Sequence, residues 1–146
     1  MKLFCNRATR IALAYFVVAF CLGCESSSNQ VATGESSLEL GLTAFREKEF
    51  SDAERLLSDS LEKGSLNADL MSEAKLARAI ARIELDDFDG AREDLEFLLE
   101  GAPNVVEVLV TLGRLAIKEG NNDEAKRFFH DAKKQDPKLV IPPELR

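Results

Sequence analysis

The chain has 146 residues, of which 45% are apolar and 31% are charged, so it has enough apolar material for one domain with a single core. All three cysteines lie at Cys24 or before it, which excludes a disulfide or a cysteine-based metal site in the rest of the chain. After residue 23 there are 16 basic and 26 acidic side chains, a net charge of −10, and this sign disfavours nucleic acid binding because Lys and Arg must neutralise phosphates there.

The N-terminal segment is predicted to be an export signal. Three basic residues precede an uncharged and mainly apolar run, 11–22, which ends at the small residue Gly23. A membrane-spanning helix needs about 20 apolar residues. A basic start, a short apolar run and a small residue are typical of a signal peptide, which we place at residues 1–23.

The end of this run carries a lipidation motif. Leu22, Gly23 and Cys24 resemble the lipobox of bacterial lipoproteins, whereas Cys21 stands where that family usually has Leu. The resemblance implies that Cys24 carries diacylglycerol and palmitate, and that the protein is lipid-anchored in the bacterial cell envelope and faces the periplasm. An uncleaved membrane anchor and cleavage by an ordinary signal peptidase are the alternatives.

A polar segment follows the motif. Residues 24–34 include three consecutive serines and a single branched apolar residue, which cannot bury enough surface to offset the entropy of ordering the chain. We predict a flexible tether here.

From residue 35 onward the sequence repeats itself. Each unit has a small residue twelve positions before an alanine, and a large apolar residue four positions after that alanine. The three sets are Gly41, Ala53 and Leu57, then Ala79, Ala91 and Leu95, then Gly113, Ala125 and Phe129. Each residue of the third set follows its counterpart in the second set by the same number of positions. The spacing between the first and second sets is four positions longer. Small residues that face each other let two helices approach closely, so the pattern predicts three helical hairpins.

This pattern resembles the tetratricopeptide repeat, a helix-turn-helix unit of about 34 residues. The third unit matches best, with Leu112-Gly113, Gly120, Ala125, Phe129 and Asp136-Pro137. The resemblance implies an all-α fold, a three-repeat solenoid of six antiparallel helices. Its repeats lie at about 35–68, 69–103 and 104–137, and its helices near 35–47, 51–63, 69–85, 88–100, 104–119 and 122–135.

Two features of these helices lead to further predictions. Polar and acidic residues at Ser51-Asp52, Asp89 and Asp123 are predicted to cap the second helices or to place charge in their first turns. Three basic residues of the second repeat occupy positions where the family packs apolar groups, and they predict a rotated or shifted helix. They are Lys75, Arg78 and Arg82.

The C-terminal tail, 138–146, is too short for the polar helix that usually caps such a solenoid, and Pro142-Pro143 excludes a regular helix. We predict that Leu139, Val140 and Ile141 lie back over the open end of the third repeat. Otherwise self-association or a partner would have to cover it.

The sequence shows no catalytic or metal-binding constellation. The single histidine, His130, follows Phe129 on a predicted helix with no nucleophile system around it. No Asp/Asn alternation has the spacing of a calcium loop, and no Gly-rich segment could hold a phosphate. We predict that the protein is not an enzyme and has no metal or cofactor apart from the lipid on Cys24.

The resemblance instead implies a partner-binding surface. In the family, the first helices of successive repeats line a concave groove that holds peptides or partner helices. Carried over by repeat position, the groove residues are Leu38, Leu42, Phe45, Arg46, Leu76, Ile80, Ile83, Glu84, Val110, Arg114, Ile117 and Lys118. Most are apolar, and the alternative is that a rotated helix buries several of them as core. The Lys and Asn array of a carboxylate clamp is absent, since Leu38, Leu42, Leu76 and Ile80 stand there.

The sequence therefore predicts a lipid-anchored tetratricopeptide adaptor that mediates protein-protein interaction in the bacterial envelope. Two alternatives remain open. One is a self-assembling structural lipoprotein whose open third repeat stacks on a neighbour, and the other is an accessory subunit of an envelope enzyme complex.

Overall fold

The computed structural model describes residues 33–101 and 104–141. The predicted signal segment with Cys24, the tether up to residue 32, residues 102–103 and residues 142–146 lie outside the described residues. The described part consists of helices and turns without a strand. The helices are α1 (Gly34–Arg46), α2 (Phe50–Lys63), α3 (Ala68–Glu84), α4 (Phe88–Leu99), α5 (Val105–Lys118) and α6 (Asn122–Gln135).

The predicted all-α architecture is confirmed, and the helix ends fall close to the predicted ones. α1 begins at Gly34, the last residue assigned to the tether, and Thr33 caps it by accepting a hydrogen bond from the Ser36 backbone N–H. None of the helices in the described ranges combines the length and the apolar character that crossing a membrane requires.

Consecutive helices pack as antiparallel pairs. At one end of the first pair, the Ser60 hydroxyl donates to the Gly34 carbonyl at 2.6 Å. At the other end, the rings of Phe45 and Phe50 meet edge to face, with centroids 6.3 Å apart. Residues near the end of α1 therefore contact residues near the start of α2, so the two helices run in opposite directions.

The predicted small-residue contacts hold these pairs together. A Cβ at Gly41 would lie 2.8 Å from Cγ of Leu57, which is too close for a real side chain. A Cβ at Gly113 would overlap the ring of Phe129 in the same way. The large residue of one helix thus fills the space that the glycine of the other leaves open.

The turn inside each repeat has one recurring geometry. Lys48, Asp86 and Gly120 occupy equivalent positions and adopt the left-handed backbone conformation, with φ of 63°, 61° and 80°. The residue after each of them donates to a carbonyl five positions back, as in a Schellman motif. These bonds are Glu49 N to Ala44 O at 2.9 Å, Asp87 N to Arg82 O at 2.9 Å and Asn121 N to Ala116 O at 2.7 Å.

The second helices begin directly after this turn. Asp52, Asp89 and Asp123 place charge in their first turns, as predicted. The capping residues come earlier in the chain, because each helix starts one or two residues before these acids. Asp87 accepts from Gly90 N at 3.2 Å and Asn121 accepts from Glu124 N at 3.3 Å, whereas Glu49 makes no side-chain cap.

The C-terminal segment covers the third repeat. Ile141 is buried in a cluster with Ala116, Ala125 and Phe129, and Leu139 packs against the same cluster. The prediction is confirmed for these two residues and wrong for Val140, which is 78% exposed. Val140 lies between the two covered residues and faces water.

Candidate partner-binding groove

The three first helices lie side by side, because α3 contacts both α1 and α5. A cavity of about 450 Å³ lies between them, which is within the usual size range of ligand sites. Its apolar lining consists of Leu42, Phe45, Leu76, Ala77, Ile80, Leu98 and Val108. Its polar lining consists of Arg46, Ser72, Glu73, Asn104 and Glu107.

Five of the twelve predicted groove residues line this cavity: Leu42, Phe45, Arg46, Leu76 and Ile80. The sequence reasoning missed the other lining residues. Leu98 belongs to a second helix, and Val108 is a core residue that reaches the cavity with part of its surface. Glu73 and Glu107 are separated by the same interval as Ala79 and Gly113, so the repeat period could have identified them.

Two predicted groove residues belong to the core instead. Leu38 is 4% exposed and packs in the cluster of Ala74, Ala77 and Ala81, while Ile83 is 1% exposed. The cluster around Ile83 includes Val108, Leu112 and Leu115 of α5. Both side chains therefore pack with the first helix of the following repeat, and their placement on the groove surface is wrong.

Val110 and Ile117 of the third repeat are half-buried. Val110 is equivalent to Leu76, and Ile117 is equivalent to Ile83, each one repeat later in the chain. No fourth repeat follows in the described residues, and both side chains instead pack with the cluster that contains Ile141. They do not line the cavity described above, and their part in partner binding stays a prediction.

The remaining predicted residues form ion pairs between α3 and α5. Arg114 Nη2 lies 3.3 Å from Oε1 of Glu84, and Lys118 Nζ lies 3.7 Å from Oε2 of the same carboxylate. All three side chains keep contact with water, so these pairs contribute little to stability. They join the C-terminal ends of the two helices outside the cavity lining.

The basic residues of the second repeat surround one buried carboxylate. The side chain of Asp94 is 1% exposed and accepts hydrogen bonds from Arg78 Nε at 2.8 Å and Arg78 Nη2 at 2.7 Å. Lys75 Nζ at 3.1 Å and Arg82 Nη1 at 3.0 Å complete the set. We call these four residues the Asp94 cluster.

The Asp94 cluster also reaches the preceding repeat. Arg82 Nη2 donates to Glu54 Oε1 at 3.1 Å, and Arg78 Nη1 donates to the Ser58 hydroxyl at 3.0 Å. The predicted rotation of α3 is wrong, because Ala79 keeps its buried place in the contact with Ala91 and Leu95. Ion pairs with α2 and α4 satisfy the cations without any shift of the helix.

These charges stay fixed at neutral pH. Burial by itself would raise the pKa of Asp94, but hydrogen bonds and charge from Arg78, with a further contribution from Lys75, hold that pKa below its ordinary value. Burial would lower the pKa of Arg78, yet its pairing with Asp94 raises it. A carboxylate with a lowered pKa that is already paired with three cations is a weak general base, which favours a structural role for the cluster.

Two further sequence predictions concern the single histidine and a metal site. His130 is exposed on α6. Nowhere in ranges 33–101 and 104–141 do His, Cys, Asp and Glu side chains gather in a group that could hold a metal ion.

The comparisons with known proteins agree with this geometry. Residues 82–140 match the family model of the tetratricopeptide repeat, and no curated protein matches the chain. The matched stretch begins near the end of α3 and includes α4, α5, α6 and the segment that carries Leu139. That family is generally a non-catalytic fold for protein interaction. The match supports a tetratricopeptide repeat over residues 82–140, and the six described helices are consistent with a TPR-like helical solenoid.

Proposed function

We propose that this chain is an adaptor that binds a segment of a partner protein in the cavity between α1, α3 and α5. We further propose that lipid on Cys24 anchors it in the bacterial cell envelope, where it faces the periplasm. The single observation that carries the adaptor function is the 450 Å³ cavity with an apolar floor and a polar rim.

The apolar floor supports a protein partner. Leu42, Phe45, Leu76 and Ile80 are only half-buried although they belong to the packed face of their helices. A partner side chain inserted among them would remove apolar surface from water, at about 25 cal/mol per Å². Apolar anchors at helical or extended spacing are the usual ligands of such helix-lined grooves.

The self-assembly alternative depends on an open third repeat. Ile141 and Leu139 cover the apolar face of that repeat in the described structure. This packing favours a binding surface on the first helices over stacking at the end of the solenoid.

The adaptor function can be tested by site-specific photo-crosslinking. A photoreactive phenylalanine analogue at Leu42 would lie in the cavity, and the same analogue at Leu40 would lie on α1 outside the cavity lining, where the native side chain is 54% exposed. We expect a crosslinked partner protein from position 42 only. The Ile80→Arg variant should remove it, because a guanidinium would then occupy the apolar floor.

Equal crosslinking from positions 40 and 42, or a crosslink that survives Ile80→Arg, would contradict the adaptor function. The helical circular dichroism of each variant should match that of the native chain, which separates a blocked cavity from an unfolded protein.

The lipid anchor has an independent test. Cys24→Ser should abolish palmitate labelling and release the protein from membranes, because the acylated thiol is lost. Cys21→Ser is the matched control and should retain both properties. Palmitate labelling that persists in Cys24→Ser would show that the anchor is assigned to the wrong residue.

A further inference from the structure

Two carboxylates line the same cavity as the apolar floor. Glu73 of α3 and Glu107 of α5 are both exposed and occupy equivalent positions of consecutive repeats. Glu35 of α1 precedes Glu73 by the same interval that separates Gly41 from Ala79, so it is their equivalent in the first repeat. The first helices thus carry a row of glutamates along one edge of the groove, two of them inside the cavity lining.

This row has no partner within the described residues. Glu84 pairs with Arg114 and Lys118 at the opposite edge. The carboxylates of Glu73 and Glu107 make no ion pair and accept no side-chain hydrogen bond among the described residues, and the Thr111 hydroxyl donates to the backbone carbonyl of Glu107 only. Glu35 and Glu107 lie in the first turns of α1 and α5, where the helix dipole favours negative charge. The dipole does not account for Glu73, because α3 begins at Ala68 and Glu73 lies beyond its first turn.

The cavity is also electrically polarised. α1, α3 and α5 run in the same direction, because consecutive helices in the chain are antiparallel and α2 and α4 separate these three. Glu73 and Glu107 are therefore near the N-terminal edge, and the one cation of the lining, Arg46, is at the C-terminal end of α1, where it donates to the Thr43 hydroxyl at 3.2 Å. A bound segment meets negative charge at one end of the apolar floor.

We propose that the partner segment is cationic: an apolar anchor enters the floor of Leu76 and Ile80, and Lys or Arg side chains beside it pair with Glu73 and Glu107. This inference rests on the proposed adaptor function and specifies its ligand. Charge complementarity selects the partner and speeds the encounter, while the apolar floor supplies most of the affinity. Because the two carboxylates are exposed, their attraction weakens as salt rises.

The test is selection of a random dodecapeptide display library on the purified full-length chain. We expect peptides in which Lys or Arg lies within one helical turn of a large apolar residue. In fluorescence anisotropy, the double variant Glu73→Gln with Glu107→Gln should bind the selected peptide about tenfold more weakly at low ionic strength. That difference should disappear in about 0.5 M salt.

A matched control separates local pairing from net charge. Glu96→Gln with Glu100→Gln removes the same number of charges from exposed positions on and after α4, outside the cavity, and should leave the peptide affinity unchanged. The charge-reversed variant Glu73→Lys with Glu107→Lys should select Asp or Glu in place of Lys and Arg.

The outcomes distinguish the two proposals. Apolar peptides without a charge preference, lost in Ile80→Arg, would overturn the cationic ligand and leave the adaptor function standing. An equal loss of affinity in the Glu96 and Glu100 control would also overturn it. If the native chain enriches no peptide that Ile80→Arg fails to enrich, both proposals are contradicted.

Discussion

Arg78 donates two parallel hydrogen bonds to Asp94, from Nε to Oδ2 at 2.8 Å and from Nη2 to Oδ1 at 2.7 Å, and this bidentate pair joins α3 to α4. The planar guanidinium and the carboxylate fix each other's orientation. Lys75 and Arg82 add two more cations around the same buried group. Loss of Asp94 would leave all three cations without their shared acceptor, and a buried charge without a partner is costly.

Removal of the central carboxylate should therefore be strongly destabilising. We expect Asp94→Ala to lower the free energy of unfolding by about 3–5 kcal/mol, because three cations lose their shared acceptor. Urea denaturation followed by circular dichroism measures this change. The matched control is Asp52→Ala, which breaks the exposed ion pair with Arg55 and should cost at most about 1 kcal/mol. Similar losses in both variants would mean that the cluster has no special role.

The same carboxylate makes stability depend on pH. The pKa of Asp94 in the folded chain is lower than its ordinary value of about 3.9, so its contribution is fully present above that ordinary value and is lost as pH falls through the folded pKa. We expect the free energy of unfolding to fall below about pH 4, and Asp94→Asn to flatten this decline. Urea titrations between about pH 2 and 7 measure both curves.

Asp59 accounts for part of the decline that remains in Asp94→Asn. Hydrogen bonds from Lys63 and Ser37 lower the pKa of Asp59, so it acts in the same direction. If the free energy of unfolding of Asp94→Asn fell below about pH 4 as steeply as that of the native chain, the loss of stability would have to come from Asp59 and other carboxylates.

The helical hairpins were predictable because their cause is local and periodic. A glycine at position 41 or 113 can be matched with the large residue 16 positions later, and in the structure that large side chain fills the space beside the glycine. Gly120 signals the turn inside the third repeat. Lys48 carries no such signal and Asp86 only a weak one, since the hydrogen bonds of the turn hold the left-handed conformation at both positions.

The Asp94 cluster was not predictable in the same way. The three basic residues looked like departures from the repeat because their common partner lies 12 to 19 residues further along the chain. The groove was predicted in part, since Leu42 and Ile80 line the cavity while Leu38 and Ile83 pack with the next repeat. Only the packing of neighbouring repeats decides which side of a first helix faces water.

Lys48 should be a site where glycine increases stability. Its φ of 63° costs a non-glycine residue about 1–2 kcal/mol, and glycine recovers most of this cost at an entropic penalty of about 0.5–1 kcal/mol. We expect Lys48→Gly to raise the free energy of unfolding by about 0.5–1 kcal/mol. Glu47→Gly is the control, because Glu47 has a φ of −81° and gains nothing from glycine. A stabilising effect at both positions would show that strain at Lys48 is not the cause.

A side chain at Gly113 should destabilise the fold. A Cβ there overlaps the Phe129 ring, so Gly113→Ala should cost about 1–3 kcal/mol despite the better helix propensity of alanine. Gly101→Ala is the control, since no atom lies within 4 Å of a Cβ at that position, and its effect should stay within about 0.5 kcal/mol. Phe129→Leu in the Gly113→Ala background should recover part of the loss. Without that recovery, the close helix contact would not explain the cost.

Ile141 should keep the third repeat from associating with a second copy. Its side chain is 7% exposed and packs with Phe129 in the cluster that Val110 and Ile117 also join. A carboxylate cannot replace it there, so Ile141→Asp should lower the free energy of unfolding by about 2–4 kcal/mol and expose this apolar face. We expect light scattering to show association that increases with protein concentration. Val140→Asp is the matched control, because its exposed side chain should tolerate the charge. If both variants stayed monomeric and equally stable, the C-terminal segment would have no protective role.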